Sequence, residues 1–244
     1  MALCATLLAA AVPASASLLF DRGLPTSNLN NAAGADRSNV SWAFTEYTSA
    51  NYYLVGDTFA NTSTETWQIS SIRLWTVGQT DTAILRGGLE GSTIGIITDA
   101  TYADPSSSQY QGSSGSYIPM HQIDFAVNLT LAPGQVYDFF LDGSGSEAGI
   151  VVPFVHASNG ALSGSRQDGA DNKMLYAEVV DGSVVGNSVG TWSSLGDGWD
   201  KPSDVNVQVF GTAVPEPTTI ISGMMLLLPF GAGAMRKLRG NRAA

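Results

Sequence analysis

Apolar and polar residues alternate in several short stretches of this chain, most clearly between residues 123 and 131. The odd positions are all apolar: Ile123, Phe125, Val127, Leu129 and Leu131. The even positions are polar or small: Asp124, Ala126, Asn128 and Thr130. A period of two predicts a strand with one buried face. Residues 132–135, with Pro followed by Gly, predict a type II turn. Alternation resumes over 136–141, so we expect a hairpin here.

Shorter segments of the same kind predict further strands. They cover residues 40–47, 52–59, 67–76, 94–98, 149–155, 173–180 and 205–210. In the third of these, Trp67 and Ile69 share one parity while Ile72 and Leu74 share the other, which indicates a bulge or a change of sheet near Ser70. Residues 104–117, rich in Ser, Gly and Gln, predict a flexible loop.

The composition favours the same fold class. Only 13% of the 244 residues are charged and 27 are Gly, whereas amphipathic helices need charged side chains on their solvent-exposed face. No long helical pattern occurs between the two ends of the chain. We therefore expect an all-β protein with a single β-sandwich, jelly-roll-like, over residues 17–213.

The charge of this body argues against nucleic-acid binding. Residues 17–213 hold 7 basic and 20 acidic residues, a net charge of −13. Phosphate backbones would repel such a surface. The one cysteine, Cys4, lies near the N-terminus, so the remaining chain has no thiol for a disulfide, a thiolate metal site or a nucleophile.

The N-terminal residues have the pattern of a secretory leader. Residues 2–12 are nearly all apolar, and Ala14-Ser15-Ala16 follows Pro13. A short apolar run that ends in Ala-x-Ala predicts a signal peptide over residues 1–16, cleaved after Ala16. No positive residue precedes the run, which a start codon assigned too late would explain.

The C-terminal residues predict a membrane segment. Residues 218–235 carry no charge, and their number approaches the roughly 20 residues that cross a bilayer core. A basic cluster follows at Arg236, Lys237, Arg239 and Arg242. By the positive-inside rule this cluster stays in the cytoplasm while the body lies outside.

A recognisable motif precedes this segment. Val214-Pro215-Glu216-Pro217, the apolar run and the basic end together resemble the PEP-CTERM sorting domain, here residues 214–244. The resemblance implies export, recognition of the Pro-Glu-Pro site by an exosortase, removal of the helix and tail, and association with extracellular polysaccharide or biofilm matrix. The body also resembles the β-sandwich ectodomains found before such tails, at residues 56–59, 67–69, 198–200 and 209–211.

Two weaker patterns indicate binding chemistry. Asp168, Asp171 and Asn172 lie in a Gly-containing segment and offer oxygen ligands for calcium, although turns use the same residues and the EF-hand spacing is absent. Trp192 and Trp199 lie in a Gly- and Ser-rich segment where aromatic rings could stack on sugars, although packing uses them as well. Trp67 and Trp75 lie in strand patterns and predict core positions.

We expect no enzymatic activity and no catalytic residues. Residues 186–190 match Gly-x-Ser-x-Gly, but no helix pattern and no later histidine follow, as a nucleophile elbow requires. His121 and His156 are expected at the surface or the core edge. The predicted function is that of an exported structural or binding protein at the cell surface or in the matrix. Two alternatives stay open: a carbohydrate-binding or carbohydrate-active sandwich with the same sorting signal, and a permanently anchored type I membrane protein.

Overall fold

The computed structural model describes residues 16–24, 39–43, 51–77, 82–100, 105–111, 117–144, 154–158, 166–180, 183–190 and 204–215. Within these ranges the chain forms strands and no helix. The strands are β1 (Ser17–Arg22), β2 (Asn39–Ala43), β3 (Asn51–Ala60), β4 (Thr66–Val77), β5 (Thr82–Leu89), β6 (Gly95–Ala100), β7 (Pro105–Gln111), β8 (Tyr117–Leu131), β9 (Val136–Ser144), β10 (Phe154–Ser158), β11 (Met174–Val180), β12 (Ser183–Gly190), β13 (Asp204–Val205) and β14 (Val207–Val214).

The strands make two antiparallel sheets, in agreement with the predicted all-β sandwich. In the first sheet β7, β8 and β4 lie side by side, and β14 and then β1 follow on the other edge of β4. β10 pairs with the end of β4 and also with β2 and β13. The second sheet has the order β12-β11-β3-β9-β5-β6.

The core lies between the two sheets. Fully buried side chains such as Ile72 of β4, Phe125 of β8 and Phe139 of β9 belong to one apolar cluster. The rings of Phe59 and Tyr137 stack there with centroids 5.3 Å apart. Alternate positions of each strand supply these side chains because successive residues of a strand point to opposite faces.

The second sheet is apolar on both faces. Leu54, Phe140 and Leu175 form a separate buried cluster, whereas Val55 and Phe139, their neighbours in sequence, belong to the main core. The nearly continuous apolar run in β9 follows from this arrangement, since a strand buried on both faces needs no polar alternation.

The predicted hairpin at residues 123–141 is wrong in its pairing, although both strands exist. β8 pairs with β4 and β7, while β9 pairs with β3 and β5 in the other sheet. The turn is type II as predicted: Gln135 N–H donates to Ala132 O at 3.1 Å and Gly134 has φ +77°. Alternation identifies which face of each strand is buried. It does not reveal whether two consecutive strands pair with each other or belong to different sheets.

The predicted irregularity near Ser70 is confirmed as a bulge. The register of β14 against β4 passes from Phe210↔Ser71 to Gly211↔Ile69, which leaves Ser70 as the extra residue. The parity of the inward side chains changes at this point, because an extra residue in a strand reverses the alternation after it.

The predicted loop at 104–117 is also wrong, because β7 covers Pro105–Gln111 and β8 begins at Tyr117. β7 pairs with β8 through its main chain, which needs no apolar pattern. The predictions did not include β1, β5 and β12. The other predicted strands are confirmed within a few residues at their ends, and the one at 205–210 is divided at Asn206 into β13 and β14. Residues 44–47 and 149–153 lie outside the described ranges.

No described segment is a helix of the length and apolar character that crossing a membrane requires. The predicted leader up to residue 15 and the predicted membrane segment at 218–235 lie outside the described residues.

Candidate functional site

The outward side chains of the first sheet form rows across its strands. β4 supplies the middle of each row, with β14 on one side and β8 on the other. The rows are Thr212–Gln68–Thr130, Phe210–Ser71–Ala126 and Gln208–Arg73–Asp124. Neighbouring strands lie about 4.8 Å apart and alternate residues of one strand about 6.8 Å apart, so the second and third rows form a regular grid. The bulge at Ser70 separates them from the first row.

The third row contains the strongest polar contact of this surface. Arg73 Nε and Nη2 donate to the two carboxylate oxygens of Asp124 at 2.6 and 2.9 Å. The same guanidinium lies over the ring of Phe210, 5.0 Å from its centroid. A bidentate pair fixes the plane of the guanidinium, so a cation, a carboxylate and an aromatic ring hold one another in place.

Neighbouring side chains hold their positions in the same way. Thr130 Oγ1 donates to Gln68 Oε1 at 3.1 Å, and Gln208 Nε2 donates to Asp21 Oδ1 at 2.9 Å. Gln122 Nε2 lies 3.3 Å from an oxygen of Asp124. We call this surface the polar platform. It comprises Gln68, Ser71, Arg73, Gln122, Asp124, Thr130, Gln208, Phe210 and Thr212.

Comparisons with known proteins show no family. No family model matches the sequence, and neither does any curated protein. Among solved structures, the family 3a carbohydrate-binding module from the CipA scaffolding of Clostridium thermocellum is similar with a TM-score of 0.28 and 12% identity, over 62% of this chain and 99% of that one. A likeness at this level carries no argument about fold or function.

A second polar cluster lies buried between the sheets, around Arg22 of β1. Its side chain is 1% exposed, and Nη2 lies 3.1 Å from Asp57 Oδ1. The guanidinium also donates to the carbonyl oxygens of Thr58 at 2.9 Å and Val205 at 3.0 Å. Asp57 in turn accepts the main-chain N–H of Val205 at 2.7 Å. These bonds connect β3 of the second sheet to β1 and β13 of the first.

Burial changes the acidity of this cluster. It raises the pKa of Asp57 to about 7, against the opposing effect of Arg22, and the nearby carboxylate of Asp204 raises it further. Burial also raises the pKa of Asp204, which Arg22 and two main-chain N–H donors lower in part. The two carboxylates share one buried cation, and so they do not both ionise easily.

Asn206 lies between β13 and β14, and its main-chain N–H donates to His156 O of β10 at 3.1 Å. Its Nδ2 donates to Gly23 O and Ser158 Oγ, each at 2.8 Å. Its Oδ1 lies 2.6 Å from Nδ1 of His156, which is fully buried. His121 is buried as well, so the expectation of surface or core-edge histidines is wrong for both.

The predicted calcium residues lie in one turn segment before β11. Asp168 accepts Asp21 N–H at 2.9 Å and also pairs with Arg166. Asp171 accepts Lys173 N–H at 3.0 Å, and Asn172, at φ +59°, donates its N–H to Asp204. Among the described residues, no group of three or more His, Cys, Asp or Glu side chains could hold a metal ion. Calcium binding stays a prediction.

Of the sorting motif, the structure describes the first two residues. Val214 ends β14 and Pro215 follows, both exposed. Glu216, Pro217 and the basic cluster lie outside the described residues, as do Trp192 and Trp199. Trp67 and Trp75 are buried, as predicted. The Gly-x-Ser-x-Gly match falls within β12, where Ser188 pairs with Tyr176 of β11 and so does not occupy a strand-to-helix turn.

Sequence reasoning did not identify the polar platform. The alternation in β8 already showed Asp124 and Thr130 on the polar side of a strand. Arg73 and Phe210 join them only through strand pairing between residues 51 to 139 positions apart. A single sequence contains no signal for such pairing.

Proposed function

We propose that this chain is an exported extracellular β-sandwich that binds a polysaccharide on its polar platform. A leader cleaved after Ala16 directs its export, and a PEP-CTERM tail that begins at Val214 anchors it for processing by an exosortase. The jelly-roll-like arrangement, the C-terminal helix and a binding role without catalysis, all expected from the sequence, belong to this proposal.

The platform supports the binding part of the proposal through its chemistry. A polysaccharide offers hydroxyl groups, each able to donate and accept, beside apolar C–H faces. Amide, hydroxyl, guanidinium and carboxylate groups satisfy the hydroxyls, and an aromatic ring such as Phe210 suits the C–H face. Arg73 and Asp124 cancel each other's charge, so a mostly neutral chain fits this surface better than a polyanion.

The fixed geometry of the platform is the observation that carries the proposal. Arg73, Gln68 and Gln208 are each held by a neighbour before any ligand arrives. Binding then orders few additional side chains, and each ordered side chain otherwise costs about 0.5–1.5 kcal/mol.

The first test replaces platform residues. We expect Arg73→Gln combined with Phe210→Ala to raise the Kd for polysaccharide extracted from the native host's matrix at least tenfold, about 1.4 kcal/mol, because both the fixed guanidinium and the ring are lost. Depletion or affinity electrophoresis measures this. The matched control is Arg166→Gln, which breaks an exposed Arg–Asp pair in the turn before β11 and removes no platform residue, so it should leave Kd within twofold. Equal binding by the folded double variant and the wild type would refute the platform as the binding surface.

The second test concerns export and the processing of the two ends of the chain. We expect the protein recovered from the host's envelope and medium to begin at Ser17 and to lack residues 218–244, because the leader and the tail are removed during export. A Glu216→Ala variant should keep its tail, since the Pro-Glu-Pro site is altered. Intact mass spectrometry distinguishes these forms. If both proteins retain residues 218–244 in the inner membrane, the chain is a permanently anchored membrane protein and processing does not occur.

A further inference from the structure

Register shifts in neighbouring strands fall at one level of the first sheet. They lie between Leu18 and Phe20 where β1 pairs with β14, between Phe210 and Gly211 where β14 pairs with β4, and between Ile69 and Ser71 where β4 pairs with β8. Bulges bend strands and redirect side chains, and they often occur beside functional sites. Here they open a recess at the edge of the polar platform.

This recess is a solvent-open cavity of about 270 Å³. Its polar wall consists of Gln68, Ser70, Asn128 and Thr212, and Ala16 forms part of the rim. No charged side chain lines it among the described residues. Ligand pockets for drug-sized molecules span roughly 300–1,000 Å³, so this one suits a single sugar unit.

The wall presents hydrogen-bond donors to the cavity. Gln68 Oε1 accepts from Thr130, which leaves the amide nitrogen of Gln68 for a ligand. Asn128 adds a second amide and Thr212 adds a hydroxyl group, while the Ser70 hydroxyl donates to Phe210 O at 3.4 Å and offers its oxygen as an acceptor. The absence of carboxylates from the described wall contrasts with a body whose net charge is −13. An anionic group is therefore repelled less here than on most of the surface.

Ala16 is the residue after which the leader is expected to be cleaved. Ser17, which follows it, is fixed in the sheet: it pairs with Gly211, and its Oγ donates to Gly211 O at 3.1 Å. Cleavage removes Ala16 from the cavity lining and leaves the nitrogen of Ser17, which pairs with the lining residue Gly211, as an α-ammonium. That group is ionised at neutral pH, since its ordinary pKa is about 7.7–8.0.

We propose that leader removal converts this cavity into a subsite for a carboxylated sugar, a uronic-acid unit of the bound polysaccharide, with the Ser17 α-ammonium as the cation that receives the carboxylate. The subsite deepens the proposed function and rests on its cleavage after Ala16. The precursor lacks the ammonium and keeps Ala16 on the rim, so it does not bind the acid. Removal of the leader thereby creates, at Ser17, the group that binds the acid.

The test compares two forms of the processed protein from the native host, with Ser17 verified as the first residue by intact mass. One is unmodified. The other is selectively acetylated on its α-amine near pH 6.5, where the lysines, with pKa values about 10.4, stay protonated. Each is titrated with glucuronic acid and with glucose. We expect the unmodified protein to prefer glucuronic acid at least tenfold, and acetylation to abolish this preference.

Two further measurements separate this subsite from the platform. Asn128→Ala should weaken glucuronic acid binding at least fivefold, while the acetylated protein should still bind matrix polysaccharide through Arg73 and Phe210. An undiminished preference after acetylation would overturn the role of the ammonium. Equal binding of both sugars, or binding of neither by a protein that still retains the polysaccharide, would overturn the subsite alone. A mature chain that begins elsewhere than at Ser17 would also overturn it.

Discussion

Replacing Arg22 with Met is expected to lower the free energy of unfolding by about 3–5 kcal/mol at pH 7, the usual cost of removing one partner of a buried ion pair. Asp57 and Asp204 would then lie between the sheets without the cation that they share. The carbonyl oxygens of Thr58 and Val205 would lose their guanidinium donor as well. Urea unfolding of the two proteins measures the difference.

The effect should depend on pH with a definite sign. The pKa of Asp57 is about 7 in the folded protein and about 3.9 in an unfolded chain, so the folded state binds the extra proton. The contribution of Asp57 to wild-type stability therefore falls as the pH rises from 4 to 7. Without Arg22 this fall continues further above pH 7, because the pKa of Asp57 is then higher still. The control, Arg166→Met at an exposed pair, should cost less than about 1 kcal/mol. A penalty for Arg22→Met that is the same at pH 5 and pH 9 would contradict the electrostatic explanation.

Gly56→Ala is expected to destabilise the fold by about 3 kcal/mol or more, as overpacking against backbone does in its severe form. A Cβ at this position of β3 would overlap the carbonyl oxygen of Phe139 and lie 2.6 Å from Cδ1 of Phe140. Both atoms belong to β9, the strand paired with β3, so relief would require the two central strands of the second sheet to separate. Thermal or urea unfolding measures the loss.

Gly95→Ala provides the matched control. A Cβ at Gly95, at the start of β6, meets no atom within 4 Å, and the change should alter stability by no more than about 0.5 kcal/mol. Should Gly56→Ala prove as mild as Gly95→Ala, the close approach of β3 and β9 at Gly56 would not exist in solution.

The sequence predicted the faces of strands better than their partners. Alternation in β8 identified Ile123 and Phe125 as core residues, and the change of parity after Ile69 located a bulge. The same alternation gave the wrong partner for β9, because burial of one face does not reveal which strand lies alongside. β7 was missed since an edge strand of Ser and Gln is held by main-chain hydrogen bonds.

The polar clusters were harder to predict for a related reason. A buried Asp57 or Arg22 looks in sequence like any surface residue, and only the meeting of β1, β3 and β13 makes them partners. The acidic turn at Asp168 and Asp171 was visible as a motif. Its carboxylates accept main-chain N–H groups, a use that the sequence does not distinguish from metal binding.

The pairing of β1 with β14 makes completion of the first sheet depend on the last strand of the described fold. These strands are the first and the last of the described fold, and Ser17 lies opposite Gly211, 194 residues later. β14 also has β4 on its other side, so the first sheet lacks an interior strand until the end of the body has emerged. For the proposed export, we expect the chain to stay unfolded during passage across the membrane, as folds rich in long-range contacts form slowly. The first sheet would then be completed only after β14 has crossed, so a chain halted before β14 would not acquire the native fold.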